Sequence, residues 1–294
     1  MVNNDEQELE KHSKRYDVKI NCDVSDFLLQ LSNAKLSLDI LPWYEKCLEY
    51  KRKYPVIEPH HIEDQKNYDN SYVTVDKLSD YIPDDSIIVF EQGTPLASGH
   101  QAFKVKPNQI VICSNGLGEM GNGLPSAIGA AFTNPQKKVY CLMSDGSMMM
   151  NLQELQTIVG YKLPIKLIMF NNDGYLFIKH TQKMLFEGRY VGVNPNTGVH
   201  LPNFKRVVEA FDIKYYTEDD MTLEHFINME DDGVSMFETF MNPEQELSPK
   251  VKGIVNGDKI LAPPIEEMSP LLSLEEVRSS MVTKLNPVSL QIKR

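Results

Sequence analysis

Two short polar stretches stand at the ends of apolar runs. Asp145-Gly146-Ser147 follows the run Val139 to Met143, and Asn171-Asn172 follows the run Ile165 to Phe170. Carboxylate and amide oxygens suit a hard cation such as magnesium, which keeps waters and shares itself with substrate phosphates. The backbone N–H groups of the first turn and the Ser147 hydroxyl, at a helix start, would offer donors to a phosphate. The residues between, from about Met149 to Tyr161, read as a helix, so the whole is strand, helix, strand. A right-handed crossover brings both strand ends to one sheet edge, where open α/β sheets bind ligands. Asp145 and Asn172 are therefore expected to face one another across a small gap, in a magnesium-diphosphate site.

The elements that must position these residues follow an α/β register from Ser71 onward. A helix over Val75 to Tyr81 leads to a strand over Ser86 to Glu91, which ends in Gln92-Gly93-Thr94-Pro95. After a loop come a strand at Gln109 to Cys113, the glycine-rich turn SNGLGEMGNG and a small-residue helix at Pro125 to Phe132. Beyond Gly174, the stretch YLFIKHTQKML reads as a helix. A helix (Asn203 to Phe211), a strand (Ile213 to Tyr216), a helix (Leu223 to Asn228) and a strand (Gly233 to Met241) complete the pattern. Strands alternating with helices predict a doubly wound parallel sheet.

The first residues are organised differently. A charged helix (Asp5 to Lys14), a strand (Asp17 to Asn21) and a helix (Asp26 to Leu31) make one β-α unit, too small to bury both faces of a sheet. It is expected either to be an appendage or to be the tail of a preceding α/β domain. A helix over Leu41 to Tyr54 and a polar connector to about Asn70 follow. Within the connector, His60-His61 reads as part of a solvated loop rather than a metal site. The tail from Pro243 is rich in Pro, Glu and Leu, with a helix at Ser273 to Val282, and is expected to drape over the domain or a neighbour.

With 294 residues, 41% of them hydrophobic, the chain can bury a sizeable core. Thirty basic against 41 acidic residues, a net charge of −11, disfavour nucleic acid or an anionic membrane as the main partner. The four cysteines show no metal spacing and are expected to be reduced. The charged N-terminus does not resemble a signal peptide, and no apolar run approaches the ~18 residues of a membrane span. The expected location is the cytoplasm.

The turn Gly116-Leu-Gly118-Glu-Met-Gly121 also fits a dinucleotide motif, with Asp145 placed 24 residues on as the ribose ligand. That NAD reading leaves Asn171-Asn172 unexplained. A diphosphate-plus-metal reading uses both strand ends and brings the glycine-rich turn, Gly118 included, close to a ligand.

The blocks QIVICSNGLGEMGNGLPSAIGAAF, SDGSMMMNLQELQTIVGYKLPIKLIMFNNDGY and FETFMNPEQELSPK, in this order and spacing, resemble the acetolactate-synthase-like branch of the thiamine diphosphate enzymes. The resemblance covers most of Ser71 to about Lys250. It implies that Asp145 and Asn172 bind Mg2+ through their side chains and Gly174 through its carbonyl. It places Gly146 and Ser147 on one side of the diphosphate, with Gly93 and Thr94 on the other. Met120 would sit beneath the bent cofactor, and Met150 with Tyr175, Leu176 and Phe177 would line the same cavity. The chain is thereby divided into the tail of a middle domain (1–35), a helical linker (36–70), a thiamine diphosphate- and Mg-binding domain (71–250) and a C-terminal tail (251–294).

Departures from the family pattern bear on function. Ser144 replaces the usual first glycine of the motif, and Thr94-Pro95 replaces a Gln-His pair. Thr181, beside Gln182, stands where acetolactate synthases carry a tryptophan that selects the second keto acid, which argues against branched-chain amino-acid synthesis. The family's catalytic glutamate, on a pyrimidine-binding domain, has no counterpart here. The expectation is a thiamine diphosphate- and Mg-binding half of an enzyme acting on a 2-oxo acid by decarboxylation or carboligation. It would be completed by a pyrimidine-binding domain or subunit from another polypeptide, within a homo- or hetero-oligomer. The alternative is a non-catalytic remnant that folds and binds cofactor weakly.

Overall fold

The computed structural model describes residues 1–294 apart from 12–15, 64–66, 232 and 257–258. Two units, Met1–Pro55 and Val56–Arg294, are each internally connected. In the first, β1 (Val2–Asn3) pairs in parallel with β2 (Ile20–Asn21). The strand expected over Asp17 to Asn21 is thus shorter, and its partner is the extreme N-terminus. Helix α1 (Glu6–Glu10) lies between them; part of the longer helix expected to Lys14 falls outside the described residues. Asp23 caps α2 (Val24–Asn33) by accepting from the Ser25 N–H, and α3 (Leu41–Lys53) follows.

The second unit opens with α4 (Pro59–Glu63) and α5 (Ser71–Tyr81), the latter capped by the Asn70 side chain. Then come β3 (Ile87–Phe90), α6 (Thr94–Ala102), β4 (Ile110–Cys113), α7 (Gly123–Thr133) and β5 (Val139–Ser144). The short α8 (Asp145–Met148), α9 (Glu154–Gly160), β6 (Ile165–Asn171) and α10 (Leu176–Leu185) follow. α11 (Phe204–Glu209), β7 (Lys214–Tyr216), α12 (Leu223–Asn228) and β8 (Ser235–Phe240) close the sheet. Its order is β4-β3-β5-β6-β8-β7, and every pairing is parallel. The doubly wound parallel sheet expected from the sequence is therefore present.

Runs such as VYCLMS are apolar without alternation because both faces of a parallel sheet are covered. Odd-numbered residues of β5 (Val139, Cys141, Met143) pack with Leu124, Ala127, Leu155, Ile158 and Val208 on one face. Tyr140 and Leu142 pack with Tyr72, Val75, Leu78 and Phe226 on the other. Lys166 of β6 is buried on the second face. Its amine donates to the carbonyls of Phe226 and Met229 (the latter at 3.0 Å), satisfying the end of α12, and burial pushes its pKa down to about 8.

Three local expectations are corrected. Residues 94–102, read as a loop, form α6. The Asp145 turn is the first turn of α8, and the helix expected from Met149 begins at Glu154. His61 is buried, its Nδ1 accepting from the Glu58 N–H and its ring stacked 4.7 Å from Tyr72. In the tail, β9 (Lys250–Val251) pairs with β12 (Met268–Ser269), and β10 (Ile254–Asn256) with β11 (Lys259–Leu261). Helix α13 (Leu274–Ser280) stands where one was expected. Among the described residues, no helix is long and apolar enough to cross a membrane.

Leu142 is fully buried at the centre of the sheet. Leu142→Ala is expected to destabilise the second unit by about 2–5 kcal/mol in urea unfolding. Leu117→Ala, at a residue 87% exposed, should stay within ~0.5 kcal/mol of the parent.

Candidate active site

Strand order reverses between β3 and β5: the chain leaves β3 toward β4 on one side and returns to β5 on the other. The carboxyl ends of β3, β5 and β6 meet there, in the crevice where doubly wound sheets bind ligands. Asp145 follows β5 directly and is fully buried. Its Oδ1 accepts from the Gly146 N–H (2.7 Å), and its Oδ2 accepts from the N–H groups of Asn172 (3.1 Å) and Gly174 (3.0 Å). The two polar stretches are thus joined across the β5–β6 pair, as their spacing predicted. Burial pushes the Asp145 carboxyl up to about 7, against the opposing pull of those donors.

A cavity of about 260 Å³ opens on this junction. Gly93, Thr94, Gly118, Met120, Gly146, Ser147, Asn172, Gly174, Tyr175 and Leu176 line it, together with Phe177. Asp145 lies beneath the lining. Met150 does not line the cavity; its Cβ lies where a side chain on Gly121 would begin, and it is half exposed. Gln92, Ser144 and Ile178, not singled out from the sequence, complete the wall.

Glycine is required where the walls approach most closely. A Cβ on Gly146 would stand 2.4 Å from the Tyr175 ring. Gly174 has φ +142°, and a Cβ there would stand 2.1 Å from the Val193 carbonyl oxygen. Gly93, at φ +111°, caps α6, and the Ser144 hydroxyl beside it donates to the Gln92 carbonyl at 2.7 Å. The serine in place of the motif's first glycine therefore ties the β5 end to the β3 end.

Three buried polar atoms of lining residues have no partner among the described residues: Asn172 Oδ1, Thr94 Oγ1 and Gln92 Oε1. Buried polar groups are ordinarily hydrogen-bonded, so these mark a site built for a polar ligand. Among the described residues, no lysine or arginine lines the cavity. A diphosphate held here would be neutralised by a cation and by backbone N–H groups. The Asp145 carboxylate and the unpartnered Asn172 amide oxygen fit the hard-oxygen chemistry that Mg2+ takes.

Sequence reasoning missed Glu91, which immediately follows β3. It is buried, its Oε1 accepts from the Gly123 N–H at 3.1 Å, and its Oε2 is shielded from solvent with no hydrogen-bond partner among the described residues. Ser147 Oγ accepts from the Gly121 N–H at 3.0 Å, and Asn151 donates to the Gly121 carbonyl at 2.7 Å. Glu91 thus anchors the glycine-rich turn from behind; a carboxylate ending an apolar strand was its one visible signal. Burial pushes Glu91 up to about 7. A carboxyl raised on folding is protonated in the folded state over a range where the unfolded chain is ionised. Stability from this group is therefore lost as pH rises from ~4.5 to ~7. Glu91→Gln should flatten that part of the pH–stability curve, seen in thermal melts between pH 4.5 and 8.

The Asp145 geometry disfavours the NAD reading, because both carboxylate oxygens are turned to backbone donors rather than to a sugar. Residues 91–238 match the family described as thiamine pyrophosphate enzyme, C-terminal TPP binding domain. The chain is 30% identical over 255 residues to the acetolactate synthase isozyme 1 large subunit of Escherichia coli (strain K12), covering 84% of this chain and 43% of that protein. It is 34% identical over 178 residues to the acetolactate synthase large subunit of Porphyra purpurea, covering 60% and 29%. With the corresponding subunit of Lactococcus lactis it shares 28% over 239 residues, covering 80% and 40%. The chain thus spans less than half the length of these curated relatives. The cofactor expected from the sequence, thiamine diphosphate with Mg2+, is the one this family implies. With the match and the crevice in agreement, the chain belongs to the thiamine pyrophosphate enzyme family, as a C-terminal TPP-binding domain.

Proposed function

We propose that this chain is the diphosphate-binding half of an acetolactate-synthase-like active site acting on a 2-oxo acid. Asp145 and Asn172, with the Gly174 carbonyl, hold Mg2+, and Gly93, Thr94, Gly146 and Ser147 flank the diphosphate. The observation that carries this reading is the buried Asp145 carboxylate beside the unpartnered Asn172 oxygen. A cation there offsets the burial of the one and satisfies the other. The bound cofactor supplies an electron sink for breaking or making the bond next to a carbonyl. Met120 and Gly118 position its ring system, while Tyr175, Leu176 and Phe177 exclude water from one wall. Met150 stays behind the glycine-rich turn and supports it.

The cofactor face is rimmed by exposed apolar residues, Leu117, Met120 and Ile178 among them. Such a rim suits cover by another domain. The cavity is also smaller than the ~300–1,000 Å³ of complete ligand sites. We assign that cover to a pyrimidine-binding domain carrying the general acid, in the same longer protein or in another chain of an oligomer. The free cysteines suit a reducing compartment such as the cytoplasm.

Calorimetric titration with thiamine diphosphate and MgCl2 is expected to show Mg-dependent binding, weakened at least ~100-fold by Asp145→Asn. Magnesium-independent binding, or binding unchanged in the variant, would overturn the metal assignment. Supplying a pyrimidine-domain polypeptide together with both cofactors should yield carbon dioxide release or carboligation from a 2-oxo acid. Failure with every matched partner would leave the cofactor-binding remnant as the better reading.

A further inference from the structure

Two asparagines end β6, and the crevice uses only the second. Asn172 lines the cavity and Asn171 does not. The Asn171 side chain is instead fully engaged away from it. Its Oδ1 accepts from the Asp173 N–H at 2.9 Å, closing an Asx turn, and its Nδ2 donates to Glu238 Oε1 at 2.5 Å. Glu238, on the neighbouring strand β8, is 4% exposed, and its Oε2 accepts from the Tyr215 hydroxyl of the edge strand β7. Burial, and then Glu238, push that hydroxyl up, so it remains the donor. A line of side chains therefore runs from the sheet edge to the turn after β6.

The turn it reaches has an uncommon backbone. Asp173 stands at φ +59° and Gly174 at φ +142°, and such conformations persist where the surroundings over-determine them. Only with this backbone do the N–H groups of Asn172 and Gly174 both meet Asp145 Oδ2. The Asn171 amide has one workable orientation. Reversed, it would set oxygen against the Glu238 oxygen and NH2 against the Asp173 N–H. With both its oxygens accepting, Glu238 selects the orientation that closes the turn.

We propose that Glu238 is a positioning residue for this turn: held by Tyr215, it fixes the Asn171 amide, which fixes the backbone that carries the Asn172 oxygen and the Gly174 carbonyl. Its effect on a bound cation rests on the Mg2+ assignment above, whereas its effect on the turn does not.

Two measurements on the intact chain test this. Hydrogen exchange at the Asn172 and Gly174 amides, followed by NMR without added ligand, reports the turn. Calorimetric titration with MgCl2 in the presence of thiamine diphosphate reports the cation. Glu238→Gln is expected to speed exchange at both amides relative to those of β5, and to weaken magnesium binding about tenfold or more. Combining it with Asn171→Asp exchanges donor and acceptor across one hydrogen bond, and should return both readouts toward the parent values. If Glu238→Gln does not fold, Tyr215→Phe carries the same expectation in smaller degree, because it removes only the hydroxyl that holds Glu238. Parent-like exchange at the two amides, or a rise shared equally by β5, overturns the positioning role. Faster exchange with unchanged magnesium affinity overturns its reach to the cation. A parent chain that binds no magnesium, with the exchange difference intact, overturns the cation assignment and supports the brace of the turn.

Discussion

A carboxylate without solvent is costly, and the placement of Asp145 constrains everything around it. Asp145 is tolerated because three backbone N–H groups converge on it, one from its own helix turn and two from the segment after β6. That convergence requires β5 and β6 to be adjacent, parallel and in the register that sets Ser144 opposite Phe170. The apolar faces of the sheet hold that register. A shift of one residue would turn Met143 and Leu142 to the wrong layers and withdraw the donors together.

The opposite wall depends on a second buried carboxyl. Glu91 and Ser147 hold Gly121 and Gly123 so that the glycine-rich turn stands over the crevice without a regular secondary structure of its own. The Ser147 oxygen accepts from the Gly121 N–H in this network, which fixes the side chain that borders the cavity. Anchoring from behind leaves the front of the turn, Leu117 to Met120, free to meet a covering surface.

How much of this was legible in the sequence depends on the range of the interactions. Asp145 and Asn172 could be paired because strand ends are marked by a change from apolar to polar residues, and the crossover rule does the rest. Helix α6 was not legible: TPLASGHQA has little apolar periodicity, and Gly99 reads as a breaker. The structure needs a glycine there because a Cβ would stand 2.9 Å from the Phe90 ring. His61 looked solvated because its partners are Tyr72 and the Ser248 carbonyl, the latter 187 residues away. The orphaned oxygens of Gln92 and Thr94 likewise become visible only once three strand ends share a crevice.

Among the described residues, every donor to Asp145 belongs to the main chain. Substitution at the donor positions changes side chains but not N–H groups, so the cradle is indifferent to much of the sequence that forms it. Mutation can reach it chiefly through the carboxylate itself or through the glycines whose missing Cβ atoms let the backbone close in. The electrostatic centre is thereby insulated from changes in most of the side chains that surround it.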